Sequence, residues 1–229
     1  WAIVAALFTV SLLIGPAEAT IGHSLRALVA GDGGPMTVVM REIRLPRALL
    51  AVLIGGSLGL AGAAMQGYLR NPLADPGLIG VSGSAALGAG IFWMMGSLAD
   101  RSMLHVWISL PLIVLGAGLL ATLSRGLDAL TLGEDAAEAM GVNLTRLRLS
   151  VILGTAAVVG ASTAVAGAIG FVGLVMPHLL RGFVQARPGA LLWASTLGGA
   201  GMILAADILV RVVIPERDLK LGVVTALVG

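Results

Sequence analysis

The chain is 229 residues long, 58% hydrophobic and 11% charged, with a mean hydropathy of +1.01. Soluble domains carry about a quarter charged residues, so this composition excludes an ordinary soluble enzyme and places most of the chain in lipid. The net charge is only +2 and there is no cysteine, which excludes disulfides and thiolate metal sites; the basic residues form no stripe that would suit nucleic acid.

Runs long enough to cross a hydrocarbon core of about 30 Å recur at 1–18, 48–69, 77–96, 106–124, 149–167, 168–181, 189–211 and from 219 onward. An all-α, polytopic transmembrane helical bundle follows. The 33 glycines fit it, because helices in lipid gain from close backbone approach at small residues; Gly55-Gly56, Gly198-Gly199 and Gly201 are placed for that use. The start, Trp1 to Ala19, ends in a small-x-small pattern like a signal peptide. It has no basic leading region and more spans follow it, so we read it as a span whose preceding residues are missing.

Polar segments separate the runs. The first, Ala19–Arg47, is expected to lie outside the membrane and holds His23, Arg26, Asp32, Arg41, Glu42, Arg44 and Arg47. The others run 100–105, 125–148, 181–188 and 211–220. Of all five, only 125–148 is expected to fold on its own. Its glycines divide it into two short helical pieces, 126–133 and 134–141, with Glu134 and Asp135 at the start of the second, where a helix dipole favours acids. Small amphipathic helices on a membrane loop suit either docking into a partner or simple loop capping.

Loop charge does not orient the chain. If 125–148 is cytoplasmic, that side holds Arg70, Arg125, Arg146, Arg148, Arg181 and Arg187, and the other holds Arg26, Arg41, Arg44, Arg47, Arg101, Arg211, Arg217 and Lys220. The positive-inside rule expects the opposite excess. The outer surplus therefore points to arginines retained to bind an acidic partner.

Particular motifs follow one another along the chain. Arg44-Leu-Pro-Arg47 precedes an apolar helix and then Gln66-Gly-Tyr-Leu-Arg-Asn-Pro-Leu-Ala-Asp-Pro-Gly-Leu-Ile-Gly80. Next come Leu132-Gly-Glu with Met140-Gly-Val-Asn143, then Gly170-Phe-Val-Gly-Leu-Val-Met-Pro-His178 with Arg181, then Ala206-Asp207 with Arg211, and finally Leu221-Gly-Val-Val-Thr-Ala-Leu-Val-Gly229. In this order they resemble the permease subunits of type II ABC importers for ferric siderophores, haem and cobalamin, closest to the haem permeases, over nearly the whole chain.

The resemblance implies ten spans per subunit in the bacterial inner membrane. It implies a homodimer with the pathway on its two-fold axis, two cytoplasmic ATPase subunits that hold the ATP, and a periplasmic substrate-binding protein. It places Arg44, Arg47 and Arg211 against glutamates of that binding protein. It makes 126–143 the coupling helices, with Leu132, Gly133, Glu134, Ala137, Met140 and Gly141 at the ATPase. No catalytic residue is then needed, and no Gly-x-x-x-x-Gly-Lys-Ser/Thr loop occurs in the sequence. The subunit itself is expected to bind no cofactor, and haem is the expected transported ligand, with a ferric siderophore or cobalamin as the alternatives.

Weighed singly, Asn71, Pro72, Asp75 and Pro76 read as a helix break at a membrane boundary and as candidate gate residues. His178 after Pro177 reads as structural before it reads as a haem ligand, and His23 and His105 as outer-face residues. Asp207 and Arg211, four apart, form an intrahelical pair. A free-standing secondary transporter would need ionisable residues in mid-span, and those positions are almost all apolar. A membrane metalloenzyme would need ligand spacing that no span carries.

The chain departs from the family at one internal point. Phe92-Trp93-Met94-Met95-Gly96-Ser97 follows Gly80–Ala89 almost at once, where the family inserts the rest of one span and two more. We therefore read one permease domain, 1–229, joined across a gap near Gly90/Ile91 that omits roughly 60 to 90 residues, at about 20 per span plus loops. Lys220 also stands where the family has proline, and at Gly229 the family would continue its last span. For the ligand, Asp75-Pro-Gly-Leu-Ile-Gly80 favours haem; cobalamin carriers tend to have Glu in place of Asp.

Overall fold

The computed structural model describes residues 1–15, 21–30, 34–76, 97–99, 101–185 and 187–213. The helices are α1 (Ala2–Leu13), α2 (Ile21–Ala30), α3 (Pro35–Val38), α4 (Leu45–Leu69), α5 (Met103–Ala121), α6 (Ser124–Leu130), α7 (Glu134–Ala139), α8 (Leu144–Ala166), α9 (Val172–Leu180) and α10 (Pro188–Val213). A wider π-type winding, Val39–Arg44, joins α3 to α4 without a break. Among the described residues, four helical stretches are long and apolar enough to cross a membrane: Pro35–Leu69, Met103–Ala121, Leu144–Ala166 and Pro188–Val212.

The bundle is built around α4. Of its most apolar stretch 83% is buried, against 28% for α5, so α4 is central and α5 peripheral. Its closest neighbour is α10. A Cβ on Gly55 would stand 2.3 Å from the carbonyl oxygen of Gly199, and one on Gly199 would stand 2.0 Å from that of Gly55. The two helices touch backbone to backbone, which only glycine at both positions permits. Gly56 and Gly201, expected to serve likewise, make only ordinary contacts, and Gly198 faces the side chains of Leu180 and Met176.

The core unites the chain on both sides of residues 77–96. Leu50, Ile54, Leu98, Leu120, Leu127, Leu192, Ile203 and Leu204 are fully buried in it. Ser97 N donates to the Ala166 carbonyl at 2.7 Å. Trp107, Ile108, Leu112 and Leu115 of α5, Ile152 and Leu153 of α8, and Trp193 and Leu209 of α10 are exposed. That belt of large apolar side chains is what a lipid-facing surface requires.

Three boundaries differ from the sequence reading. The run 168–181 is not a span: Gly167 (φ 77°) and Phe171 (φ 65°) end α8 and start the nine-residue α9, which is too short to cross. The first run is helical only to Leu13, where Ile14 turns extended. Segment 19–47 is not a plain outer loop. It forms α2, whose last turn receives Arg41 on the carbonyls of Leu28 (Nε, 3.0 Å) and Val29 (Nη2, 3.0 Å). It also carries the helical lead-in to α4, so Arg44 and Arg47 sit within a continuous helix. The runs 77–96 and 219–229, the junction at 90/91, Arg217, Lys220 and the side chain of His23 lie outside the described residues.

Candidate functional site

Two polar clusters mark opposite ends of the bundle. At one end α4 begins and α10 finishes, and there Arg47 Nε donates to Asp207 Oδ1 at 2.6 Å. Arg211 Nη2 donates to Asp207 Oδ2, which is the expected intrahelical pair. Asp207 is fully buried and the Arg47 side chain is 18% exposed. A lone acid in an apolar span needs such partners, because an unpaired buried charge is strongly unfavourable.

Arg44 and Arg211 also reach the end of α1. Arg44 Nη1 donates to the carbonyls of Leu12 and Leu13, both at 3.1 Å. Arg211 Nη1 donates to those of Ser11 (2.9 Å) and Ile14 (3.0 Å). A helix leaves its last carbonyls without intrahelical partners, and cations are favoured at that terminus. Two guanidiniums from other helices therefore cap α1. Arg44 is buried, and among the described residues its Nη2 has no hydrogen-bond partner. The sequence placed the three arginines on one surface; the structure brings them together but turns Arg44 and Arg211 inward. The Arg47–Asp207 bond, which joins residues 160 apart, was missed, since only the α4–α10 pairing reveals it.

At the other end lie the close of α4, the starts of α8 and α10, the end of α9, and the short helices α6 and α7. Gly189 N at the start of α10 donates to Asp128 Oδ1 of α6 at 2.7 Å. From Gly189 to Arg211, α10 rises about 33 Å at 1.5 Å per residue, so the two clusters stand a membrane's thickness apart. Here Arg148 Nε donates to Tyr68 Oη at 2.8 Å, and Gln66 links Arg181 to the carbonyl of Leu174. The Gln66–Tyr68 and Gly170–Arg181 motifs thus meet.

The two short helices expected in 126–143 are α6 and α7. Gly133 (φ 111°) caps α7 and Gly141 (φ 85°) follows it. Ala137 is fully buried, whereas Leu132 is 69% and Met140 55% exposed. Glu134 is exposed and 4.0 Å from Arg70; such a contact contributes little. Asn143 caps α8, its Oδ1 accepting from Arg146 N at 2.9 Å.

The helix break predicted at Asn71–Pro76 is present. α4 ends at Leu69, Arg70 is left-handed (φ 49°), and Asn71 Oδ1 accepts from Leu73 N at 2.9 Å. The chain then turns back into the bundle, where Asp75 and Pro76 line a cavity of about 90 Å³ with Leu58, Val159, Phe171 and Gly173. His178 is exposed, and His105 closes a capping box with Ser102 at the start of α5. Among the described residues no three His, Asp or Glu side chains converge on a metal-sized site.

With this geometry in place, comparison with known proteins decides the family. The FecCD transport family model matches residues 3–92 and 89–229. The chain belongs to that family, as a permease of type II ABC importers. It is 31% identical to an uncharacterized ABC transporter permease, YvrB, of Bacillus subtilis over 277 positions, covering 87% of this chain and 78% of that one. It is 33% identical to the hemin transport permease HmuU of Yersinia pestis over 267 positions, covering 82% and 79%. It is 34% identical to the vitamin B12 permease BtuC of Vibrio cholerae, also covering 82% and 79%. A solved structure described as an inward-facing metal-chelate type ABC transporter superposes with a TM-score of 0.85 at 26% identity, over 100% of this chain and 94% of that one.

Proposed function

We propose that this FecCD permease works as a homodimer in the bacterial inner membrane and imports haem by alternating access, with two ATPase subunits on one side and a binding protein on the other. The observation that carries this reading is the placement of two unlike surfaces at opposite ends of one bundle. One is a surplus-positive cluster of Arg44, Arg47 and Arg211 around Asp207, suited to an acidic protein. The other is a pair of short helices presenting exposed Leu132 and Met140, suited to an apolar cleft. ATP-driven changes in the spacing of two ATPases would move helices seated in them, and with them the bundle between outward-open and inward-open states. In this reading Asn71–Pro76, re-entering beside α9, gates the path.

The haem reading is supported by the 33% identity to a hemin permease and by Asp75-Pro-Gly-Leu-Ile-Gly80. The identity to a vitamin B12 permease is 34%, so the ligand is decided by experiment. The cognate binding protein, purified with its pigment, should show a Soret band. A corrin spectrum or a ferric-siderophore charge-transfer band would replace haem by that ligand and leave the importer intact.

The junction near Gly90/Ile91 belongs to the same proposal. The two family-model matches meet at residues 89–92. In the alignment to the Bacillus permease, 87% of 229 residues is about 199, which leaves about 78 of 277 positions facing no residue of this chain. That length accommodates roughly three spans of about 20 residues with their loops. A tryptic peptide running unbroken from Asn71 to Arg101, with an intact mass equal to 229 residues, would refute the gap.

A further inference from the structure

We infer that Asp207 is the positioning residue of the docking surface: it holds Arg47 through Nε and leaves that guanidinium's terminal fork for a carboxylate of the binding protein. This rests on the docking role proposed above.

The three arginines are not equivalent. Arg44 and Arg211 direct Nη1 onto the carbonyls of Ser11, Leu12, Leu13 and Ile14, so both serve α1. Gly15 lies against Arg44, and a Cβ there would stand 2.6 Å from Arg44 Nη2, so the end of α1 covers that guanidinium. Arg47 is bonded among the described residues only through Nε to Asp207, and its side chain retains 18% exposure. A guanidinium offers a carboxylate two forks, one built on Nε and one on the two terminal nitrogens. With Nε engaged, no described residue takes the terminal fork.

Asp207 is completely buried and is fixed from its other oxygen by Arg211, which is itself anchored on α1. The anchor for Arg47 is therefore immobile. An arginine held in place loses less freedom on meeting its partner than one that swings. Among the described residues the cluster sets three guanidiniums against one carboxylate, a net positive charge that selects an acidic partner over a basic one.

The test titrates the cognate binding protein onto the permease complex in lipid nanodiscs. Arg47→Ala should weaken docking by roughly 30-fold or more, and Asp207→Asn by about ten-fold through lost preorganisation. The double variant should bind as weakly as Arg47→Ala alone, because a positioning residue has nothing left to position. If Asp207→Asn binds like wild type while Arg47→Ala is weak, the inference fails and docking stands. Failure also follows if Asp207→Asn weakens binding by the same factor in both backgrounds, since that marks a general structural effect. If neither single variant changes affinity, the docking reading itself falls. Should Asp207→Asn not fold, Arg47→Lys decides: its single ammonium, drawn to Asp207, offers no fork, so docking should fall about as far as in Arg47→Ala, and wild-type affinity overturns the inference.

Discussion

Gly189 donates its backbone amide to Asp128 Oδ1 at 2.7 Å, so the first short loop helix is fastened to the leading turn of α10. A Cβ on Gly189 would stand 2.7 Å from Asp128 Oδ2, which means the carboxylate is seated directly on the helix start. Because α10 carries Asp207 and Arg211 near its far end, one rigid element connects the two polar clusters. Close-packed helices shift as bodies instead of deforming, so in the proposed transport cycle a displacement of α6 would be delivered at the arginine end.

Removing that fastening should separate stability from coupling. Asp128→Ala loses one cap-like hydrogen bond to the part-buried start of α10, a change of about 1–2 kcal/mol, and the thermal midpoint in detergent should fall by only a few degrees. Uptake by reconstituted permease should fall much further while ATP hydrolysis continues. Asp128→Asn keeps the acceptor oxygen and should retain most uptake.

The backbone contact between α4 and α10 sets a second expectation. Gly55→Ala or Gly199→Ala places a methyl within 2.3 Å of a carbonyl oxygen, and the helices must separate to admit it. Overpacking of this kind costs roughly 1–3 kcal/mol. Because the obstacle is backbone, no side chain can yield. Thermal unfolding in detergent should show both variants less stable than Gly201→Ala, whose nearest neighbours are ordinary side-chain contacts at 3.8 and 3.9 Å.

At the arginine end, Gly15→Leu should loosen the last turn of α1, which then keeps only its Arg211 bonds. The new side chain displaces the Arg44 guanidinium, whose Nη1 bonds to the Leu12 and Leu13 carbonyls are charge-assisted and contribute about 1.5–3 kcal/mol each. Hydrogen exchange at the last turn of α1 should rise markedly, with little change at Gly189, about 33 Å away along α10.

Much of this was legible in the sequence because lipid imposes strong rules. The long runs became α4, α5, α8 and α10, and the glycine-punctuated loop became α6 and α7. The Asp207–Arg211 pair followed from helical spacing alone. What escaped was relational. Nothing in the chain says that residue 47 faces residue 207, because that depends on which helices pair, and the Gly55–Gly199 contact that fixes their approach is one among many glycines. Arg44 read as a loop charge for a similar reason: an arginine at an apolar boundary looks exposed until the carbonyls that receive it, at the end of α1, are placed. The run 168–181 misled because its composition suits a span, while the left-handed Phe171 and positive-φ Gly167 that break it leave no trace in hydropathy.

The short loop helices offer the sharpest division between a cap and a coupler. A loop that merely closes over the bundle should bury its apolar side chains, as Ala137 and Leu127 are buried, yet Leu132 and Met140 stand out on either side of α7. Leu132 and Met140 are mostly exposed, so Leu132→Asp or Met140→Asp should leave the stability of the isolated permease unchanged within about 0.5 kcal/mol. If these side chains fill a cleft in an ATPase, each variant should weaken assembly with it by about 2 kcal/mol, roughly 30-fold. Uptake should fall in parallel, and docking of the binding protein at the far end should persist. Normal assembly and normal uptake in both variants would return α6 and α7 to the role of a loop cap, and the coupling surface would then have to lie elsewhere on the same end.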